Sequence, residues 1–343
     1  MRSEKRLSLL IFVLIVLISC NRHTPSSQTQ TAAVDDWYTL YFTHPGEAGT
    51  GLAIESALDD SIDSANDNID LAIYSFSLPT IADALIAAHI RGVDVSMVME
   101  ADNMDSYQVK RLLAAGIPIQ PDNSDGLMHD KFVVIDNHEV WVGSMNLTIT
   151  SAQEDANNLI RFESKELVAD YMVEFDAMYD HQLFSQSHIP KTPYPLFTIG
   201  STKLEAFFPP NDSAAFRLSE LIASSDESIV FMASNFTSNT LSAALIAASG
   251  RGVDVDGLMD ADNAISDTGS DYRWLTDAGI PVILDKDPGR MHHKVMIIDK
   301  SIVAFGSYNF TASAEKYNDE NLLIIHDTGL AARFLAEYQR LIN

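Results

Sequence analysis

The chain has 343 residues, enough for two domains of ordinary size, and 46% of them are hydrophobic, which excludes an intrinsically disordered protein. Its formal net charge is −26 at pH 7. Such an acidic chain does not favour tight, sequence-independent binding to nucleic acid, because that binding uses a basic surface to displace counterions from phosphate. A small basic cleft inside an acidic shell is still compatible with this composition.

The N-terminus, residues 1–19, is predicted to be a lipoprotein signal peptide. Two arginines and a lysine precede residues 9–18, which are all apolar. Ten apolar residues are too few to span a bilayer, which needs about 20, but they fit the apolar part of a secretory signal. The segment ends in Leu-Ile-Ser before Cys20 and resembles a bacterial lipobox. We therefore expect export, lipidation of Cys20 and a membrane-anchored lipoprotein facing the periplasm or the outside.

Residues 20–36 are rich in Ser, Thr, Gln and Asp, which predicts a flexible tether between the anchor and the folded part. Cys20 is the only cysteine of the chain. A structural disulfide within one molecule is therefore excluded.

The first domain, predicted over 37–190, alternates strands with helices. Strands are predicted at 69–76, 93–99, 131–135 and 140–142, and helices at 80–90 and 107–115. Each helix stops at a glycine, Gly92 or Gly116, which can adopt the left-handed conformation that ends helices. The alternation predicts an α/β fold whose sheet contains parallel strands.

The chain then repeats itself after a linker that three prolines place at 185–202. Residues 84–95 return almost unchanged as 244–255, 160 positions later, and a following block returns 163 positions later. Two copies are too few for a solenoid. A tandem duplication is therefore predicted, with the second domain at 200–343.

A polar motif, H-x-K-x4-D followed by G-S-x-N, occurs once in each repeat. Its residues are His129, Lys131, Asp136, Ser144 and Asn146 in the first copy, and His292, Lys294, Asp299, Ser307 and Asn309 in the second. Positions i and i+2 of a strand face the same way, so each histidine is expected beside its lysine. Two polar residues on one face of an apolar strand are costly unless they are paired or functional.

With this duplicated motif the chain resembles the phospholipase D superfamily, over nearly its whole length from about Trp37. The resemblance implies two tandem phospholipase D-like α/β domains, each a mixed or parallel sheet flanked by helices. It implies a pseudo-twofold axis between them, with one active site at their interface. It also implies that one histidine attacks phosphorus and forms a phosphohistidine, while the other protonates the leaving oxygen and then activates water.

The resemblance also implies roles for the remaining motif residues. The lysines and the side chains of Ser144, Asn146, Ser307 and Asn309 hold the phosphate oxygens, and no metal or other cofactor is needed. These types suit the chemistry, because imidazole titrates near neutral pH and ammonium groups neutralise phosphate charge. Asp136 and Asp299 complete the motif, and strand parity predicts that they support the architecture.

The two copies differ 28 residues after each histidine, where the first has Asn157 and the second has Glu320. In the family this position orients the catalytic imidazole through the ring nitrogen remote from phosphate. We expect Glu320 to stabilise the imidazolium of His292 and Asn157 to orient His129 without that bias. His129 is then the nucleophile and His292 the general acid and base.

The motif fixes the bond class and leaves the substrate open. Phospholipid head-group hydrolysis fits a lipid-anchored acidic protein beside a membrane. An endonuclease acting on DNA or RNA is the alternative, and a cardiolipin synthase-like phosphatidyl transfer is a third reading. A non-catalytic binding module predicts loss of a histidine or lysine, and none is lost. Because both motifs lie in one chain, we expect a monomer without an obligate protein partner.

Overall fold

The computed structural model of the protein describes residues 33–35, 37–185 and 191–343. The predicted signal peptide, Cys20 and most of the predicted tether lie outside these described residues. The end of the predicted tether, residues 33–35, forms a short strand that pairs with the following one. Within the described ranges, no helix is both long and apolar enough to cross a bilayer.

The first repeat alternates strands and helices close to the predicted bounds. Its elements are β1 (Ala33–Asp35), β2 (Tyr38–Thr43), α1 (Ala48–Ser64), β3 (Asn68–Ile73), α2 (Pro79–Arg91), β4 (Asp94–Met99), α3 (Tyr107–Ala115), β5 (Ile119–Pro121), β6 (Lys131–Ile135), β7 (Glu139–Gly143), α4 (Ile149–Gln153), β8 (Asn157–Phe162) and α5 (Lys165–Tyr179).

The second repeat follows the same order. Its elements are β9 (Leu196–Ile199), β10 (Thr202–Phe207), α6 (Ala214–Ala223), β11 (Ser228–Ala233), α7 (Asn239–Gly250), β12 (Asp254–Met259), α8 (Ala261–Ser266), α9 (Tyr272–Asp277), β13 (Val282–Leu284), β14 (Lys294–Ile298), β15 (Ile302–Gly306), α10 (Ala312–Lys316), β16 (Leu322–His326) and α11 (Thr328–Ile342). Strand β9 falls inside the predicted linker, so the second sheet begins earlier than the predicted boundary at residue 200.

Each repeat contains one eight-stranded mixed sheet. The orders are β1-β2-β8-β7-β6-β3-β4-β5 and β9-β10-β16-β15-β14-β11-β12-β13, so each strand has an equivalent in the other repeat. Only β3-β4-β5 and β11-β12-β13 run parallel. Lys131, the first residue of β6, pairs with Ile73, the last residue of β3. The motif lysine therefore lies at the carboxyl edge of the parallel strands, where ligands gather in α/β folds.

Glycines and caps explain why the helices end where they do. Helix α2 starts with Pro79, whose fixed φ suits a first helical position, and ends at Gly92 with φ +97°. Helix α3 starts after Ser106, whose hydroxyl accepts from the Val109 N–H at 3.2 Å. It ends at Gly116 with φ +94°, in the left-handed conformation that glycine adopts at low cost.

Three hydrophobic cores hold this arrangement together. One lies within the first repeat and one within the second, each between a sheet and its outer helices. The third core draws on both repeats: it contains Tyr171 and Phe175 of α5, Phe334 and Tyr338 of α11, and residues of both sheets. Because burial of apolar area is the main favourable term in folding, this shared core fixes the two repeats against each other.

The aspartates that close the motif, Asp136 and Asp299, sit at the tips of equivalent hairpins, with φ of +52° and +48°. The Asp136 carboxylate accepts from the backbone N–H groups of three successive residues, 66–68, at 2.8–3.2 Å. Asp299 does the same with residues 226–228 at 2.8–3.3 Å. Burial opposes ionisation, but these donors lower the pKa of both carboxyls. Both residues therefore join a hairpin to the start of β3 or β11, as strand parity predicts.

Replacing Asp136 by alanine removes an acceptor from three backbone donors and places alanine at a positive φ. We expect the free energy of unfolding to fall by about 1–3 kcal/mol, measured by urea denaturation of the full chain. Asp136→Asn should lose less, because its amide oxygen still accepts and Asn tolerates the left-handed region. Asp299→Ala is the matched change in the second repeat. Equal unfolding midpoints for wild type and Asp136→Ala would refute this role.

Candidate active site

Each motif histidine is attached to the backbone of the opposite repeat. The His129 N–H donates to the Asp319 carbonyl at 2.9 Å, and the His292 N–H donates to the Ala156 carbonyl at 2.9 Å. Isolated parallel bridges, Met128 with Asp319 and Ala156 with Met291, accompany these bonds. Both histidines therefore precede their motif strands, which begin at the lysines, and the two loops meet at the interface between the repeats.

Two glycines allow this close approach. A Cβ on Gly126 would lie 1.8 Å from the Tyr317 carbonyl oxygen, and one on Gly289 would lie 1.5 Å from that of Glu154. No side chain fits at either place. The loops can cross between the repeats only with glycine at these positions.

The side chains that contact the histidines also come from the opposite repeat. His129 Nδ1 lies 2.8 Å from Glu320 Oε2, and His292 Nδ1 lies 2.8 Å from Asn157 Oδ1. The Asn157 amide nitrogen donates to the Ser151 carbonyl at 3.0 Å, which fixes the amide with its oxygen towards the histidine. Each imidazole therefore donates through Nδ1 and keeps a lone pair on Nε2.

This geometry corrects the predicted pairing. Glu320 was expected beside His292 and Asn157 beside His129, because each pair lies 28 residues apart in one repeat. The contacts are instead crossed, because the histidine loops leave their own sheets and bond to the other repeat. The premise of the predicted division of roles is therefore wrong.

The motif serines bond to the two side chains that contact the histidines. Their predicted role as phosphate ligands is therefore corrected. The Ser144 hydroxyl donates to Asn157 Oδ1 at 3.0 Å, and the Ser307 hydroxyl donates to Glu320 Oε2 at 2.6 Å. Both serines are fully buried. A hydroxyl has a single proton to donate, so neither serine has one left for a phosphate oxygen.

The motif asparagines keep their candidacy as phosphate ligands. Asn146 and Asn309 are half-buried, and their side-chain oxygens are buried without a hydrogen-bond partner in the described part of the chain. Polar groups in such positions are normally satisfied. Ordered water would meet that need, because an amide oxygen accepts; the amide nitrogens are the groups that can donate to a phosphate oxygen.

The two lysines bring positive charge into a buried site. Lys131 Nζ donates to the His129 carbonyl at 2.6 Å and Lys294 Nζ to the His292 carbonyl at 2.8 Å. Lys131 also lies 5.2 Å from the centroid of the Tyr74 ring. Burial lowers the pKa of Lys131 to about 8, against the raising effect of Glu320 and Asp130. Burial and the Lys131 charge also hold the pKa of Lys294 well below its usual value.

Charges cross the interface and act on both histidines. Burial, then Lys131 and Lys294, hold the pKa of His129 well below its usual value. Burial, both lysines, His129 and Arg290 do the same to the pKa of His292. The imidazoles are therefore neutral near pH 7 without a ligand, while the site as a whole favours an anion.

The residue after each histidine makes a further crossed contact that sequence reasoning missed. The Asn321 amide donates to Asp130 Oδ1 at 2.6 Å, and the Asn158 amide nitrogen lies 2.9 Å from His293 Nδ1. Asparagine occurs at this position in both repeats. This shared asparagine could have indicated the contact, because the residue just before it differs between the two copies.

Behind His293 the buried charges are balanced. Glu337 of α11 contacts His44 Nε2 at 3.1 Å and His293 Nε2 at 3.5 Å, and Arg340 donates to it at 2.9 Å. Burial opposes ionisation of this carboxyl, but those three partners lower the pKa of Glu337.

Behind His129 the buried charges are unbalanced. Glu174 of α5 stands where Glu337 stands in the other repeat, and its neighbours include Asp130 and Asp319. Each of these three carboxyls, and Asp170 as well, has an oxygen without a hydrogen-bond partner among the described residues. Burial raises the pKa of Asp130 and of Asp170 to about 7, and raises those of Glu174 and Asp319 well above the usual range.

Comparison with known proteins identifies the family to which the chain belongs. A family model described as "cardiolipin synthase, PLD-like domain" matches residues 58–179 and 218–342, well over half of the chain. The chain belongs to the phospholipase D superfamily. As predicted, it contains two tandem phospholipase D-like domains.

Individual relatives of this superfamily member support phosphodiesterase activity. A phospholipase D of Rickettsia bellii is 36% identical over 166 residues, which are 47% of this chain and 82% of the relative. A mitochondrial cardiolipin hydrolase of Xenopus tropicalis is 32% identical over 117 residues, 34% of this chain and 56% of the relative. A phosphatidylserine synthase of Haemophilus influenzae shares the fold, with a TM-score of 0.65, 13% identity and coverage of 88% of this chain and 86% of the other.

The same buried groups predict a narrow pH optimum. Burial raises the pKa of Glu320 to about 7, although Lys131 lowers it, so the carboxylate facing His129 forms as pH rises through that value. Lys131, with a pKa of about 8, loses its charge as pH rises further. We expect kcat/KM for bis(4-nitrophenyl) phosphate, whose leaving group needs no proton from His292, to rise through about pH 7 and fall above about pH 8.

Two variants separate the limbs of this profile. Glu320→Gln should remove the acid limb from the residual activity, because an amide does not titrate. Lys131→Arg should move the alkaline limb upwards, because guanidinium stays charged. An unchanged acid limb in Glu320→Gln would contradict the assignment of that limb to Glu320.

Proposed function

We propose that this protein hydrolyses phosphodiesters through a phosphohistidine on His129, with His292 as general acid and base. The observation that carries the proposal is the crossed contact of the Glu320 carboxyl group with His129 Nδ1 at 2.8 Å. The division of roles is the one expected from the sequence, but its physical reason differs.

His129 suits the role of nucleophile because its neutral ring keeps a lone pair on Nε2. When Nε2 bonds to phosphorus, the ring becomes positively charged. A carboxylate on Nδ1 stabilises that charge as it forms, whereas an amide does so less well. Glu320 provides this carboxylate, and Ser307 holds it in place with a bond of 2.6 Å.

His292 suits proton transfer because its partner, the Asn157 amide, orients the ring without fixing its charge. A bound phosphodiester anion offsets the charge of the two lysines, so the pKa of His292 rises when substrate binds. Protonated His292 gives its Nε2 proton to the leaving oxygen as the P–O bond breaks. It then takes a proton from water, whose oxygen attacks phosphorus and breaks the P–N bond.

The lysines and the motif asparagines would hold the phosphate in this scheme. Lys131 and Lys294 retain donors beyond their single bonds to the histidine carbonyls. The two ammonium groups neutralise charge on the equatorial oxygens, which is why we propose a reaction that needs no metal. The amide nitrogens of Asn146 and Asn309 would complete the set of donors.

We propose phospholipid head groups as the leaving alcohols. The similarity to proteins named phospholipase D and cardiolipin hydrolase supports a lipid substrate, and the formal net charge of −26 does not favour a nucleic acid. An exported lipoprotein anchored through Cys20 would meet such substrates at a membrane surface.

The chemistry is tested with the full chain and mixed phospholipid vesicles in the presence of EDTA. Wild type should release head groups, and His129→Ala should lose at least about 1,000-fold of that rate, because the covalent route disappears. Release by wild type at the same rate without EDTA would support independence from metal. If phosphatidyl alcohols form in place of phosphatidic acid, the reaction is phosphatidyl transfer and not hydrolysis.

The division of roles is tested with bis(4-nitrophenyl) phosphate, whose leaving group needs no proton. His292→Ala should release about one equivalent of nitrophenolate in a burst and stall as the phosphoenzyme. His129→Ala should give no burst. A burst from His129→Ala and none from His292→Ala would reverse the assignment. Cleavage of this diester without release from any lipid would favour DNA or RNA as substrate.

The proposed anchor predicts a lipid-modified N-terminus. When the whole chain is expressed in a bacterial host, mass spectrometry should find a mature protein that begins with a diacylated Cys20. Cys20→Ser should remain uncleaved and lack the lipid mass. An inhibitor of lipoprotein signal peptidase should block cleavage of the wild type, and a mature mass that this inhibitor does not change would refute the anchor.

A further inference from the structure

The pseudo-twofold symmetry is broken beside the two histidines. Leu127 lies two residues before His129 and directly follows Gly126, which is the residue that approaches the Tyr317 carbonyl. Arg290 lies two residues before His292 and directly follows Gly289, which approaches the Glu154 carbonyl in the same way. The pair Leu127 and Tyr317, here the apolar lip, is therefore equivalent to the pair Arg290 and Glu154, here the charged lip.

The backbone places each pair at the site. In the apolar lip, the Asp319 N–H donates to the Leu127 carbonyl at 2.8 Å, directly before Glu320. In the charged lip, the Ala156 N–H donates to the Arg290 carbonyl at 2.8 Å, directly before Asn157. In each lip, one residue lies two positions before a histidine, and the other lies three positions before the residue that contacts that histidine.

All four side chains are open to a ligand. Leu127 is 38% and Tyr317 51% exposed, and Arg290 and Glu154 are both exposed. The Arg290 charge contributes to the lowered pKa of His292 after burial, the lysines and His129, so the charged lip lies within electrostatic reach of that ring. Leu127 and Tyr317 therefore expose apolar surface close in sequence to His129 and Glu320, and a bound apolar group could cover that surface.

A third position inside the site differs in the same direction. The Tyr74 ring packs edge-on against His129, with centroids 4.9 Å apart. Its equivalent beside His292 is Ser234: the Tyr74 N–H donates to the Asp130 carbonyl and the Ser234 N–H to the His293 carbonyl. The His129 side is therefore aromatic and apolar at three positions where the His292 side is polar or charged.

We propose that this asymmetry orients an amphiphilic phosphodiester in the site. The apolar lip holds the apolar alcohol that stays on phosphorus while the phosphate is bonded to His129. The charged lip faces the polar alcohol that leaves with the proton of His292. Leu127 and Tyr317 then determine specificity for the retained group, and Arg290 and Glu154 for the leaving group. This inference rests on the proposed function and adds the direction in which substrate binds.

The retained group is tested with two substrates that share the same leaving choline. Monomeric dihexanoyl phosphatidylcholine has an apolar retained alcohol, and glycerophosphocholine has a polar one. We expect the ratio of their kcat/KM values to fall about tenfold in Leu127→Ser/Tyr317→Ser, because the acyl chains lose apolar contact. Ile90→Ser, at an exposed position on the far end of α2, should keep the wild-type ratio.

The leaving group is tested by comparing phosphatidylcholine with phosphatidylmethanol, both with hexanoyl chains. Arg290→Ser/Glu154→Ser should change this second ratio severalfold, and the apolar-lip variant should not. If Leu127→Ser/Tyr317→Ser keeps the wild-type ratio of kcat/KM for dihexanoyl phosphatidylcholine to that for glycerophosphocholine, the inference is overturned. The proposed function would still stand. Wild type that cleaves bis(4-nitrophenyl) phosphate but neither lipid would overturn both the lipid substrate and the inference.

Discussion

The hydrogen bonds from each histidine N–H to a carbonyl of the opposite repeat set the rest of the site. They place His129 beside Glu320 and His292 beside Asn157, both at 2.8 Å. They also demand glycine at 126 and 289, where a side chain would collide with backbone. Neither repeat alone contains a histidine together with the group that orients it, so the site exists only when both repeats are folded against each other.

Duplication produces two similar halves, and the proposed chemistry needs them to differ. A nucleophile and a proton donor require different surroundings even when both are imidazoles. The crossed partners that touch the imidazoles provide part of this difference, because Glu320 contributes a carboxyl group where Asn157 contributes an amide. The apolar part of the shared core stays nearly symmetric, with Tyr171 and Phe175 of α5 matched by Phe334 and Tyr338 of α11.

The sequence predicts the bounds of several helices and strands, but it does not predict contacts between residues that are far apart in the chain. The bounds of α3 and β6 follow from a capping serine, a terminal glycine and an apolar run. The duplication and its motif place His129 and His292 in one site through the resemblance. The sequence did not predict the crossed contacts of Asn157 and Glu320 with the histidines. The number of residues between two positions does not show which repeat contributes the side chain that contacts a histidine. Strand β9 escaped because a segment beside prolines reads as a linker, although pairing with β10 makes it a strand.

The unbalanced carboxyl groups behind His129 bear on how acidic the folded protein is. The formal charge of −26 counts every Asp and Glu as ionised at pH 7. Burial raises the pKa of Asp130, Asp170 and Glu320 to about 7, so these groups are partly protonated at that pH, and burial also raises the pKa of Glu174 and of Asp319 well above the usual range. The unfolded chain would ionise all five. At these five carboxyl groups, folding therefore takes up protons near neutral pH, and the formal charge overstates how far they are ionised in the folded protein.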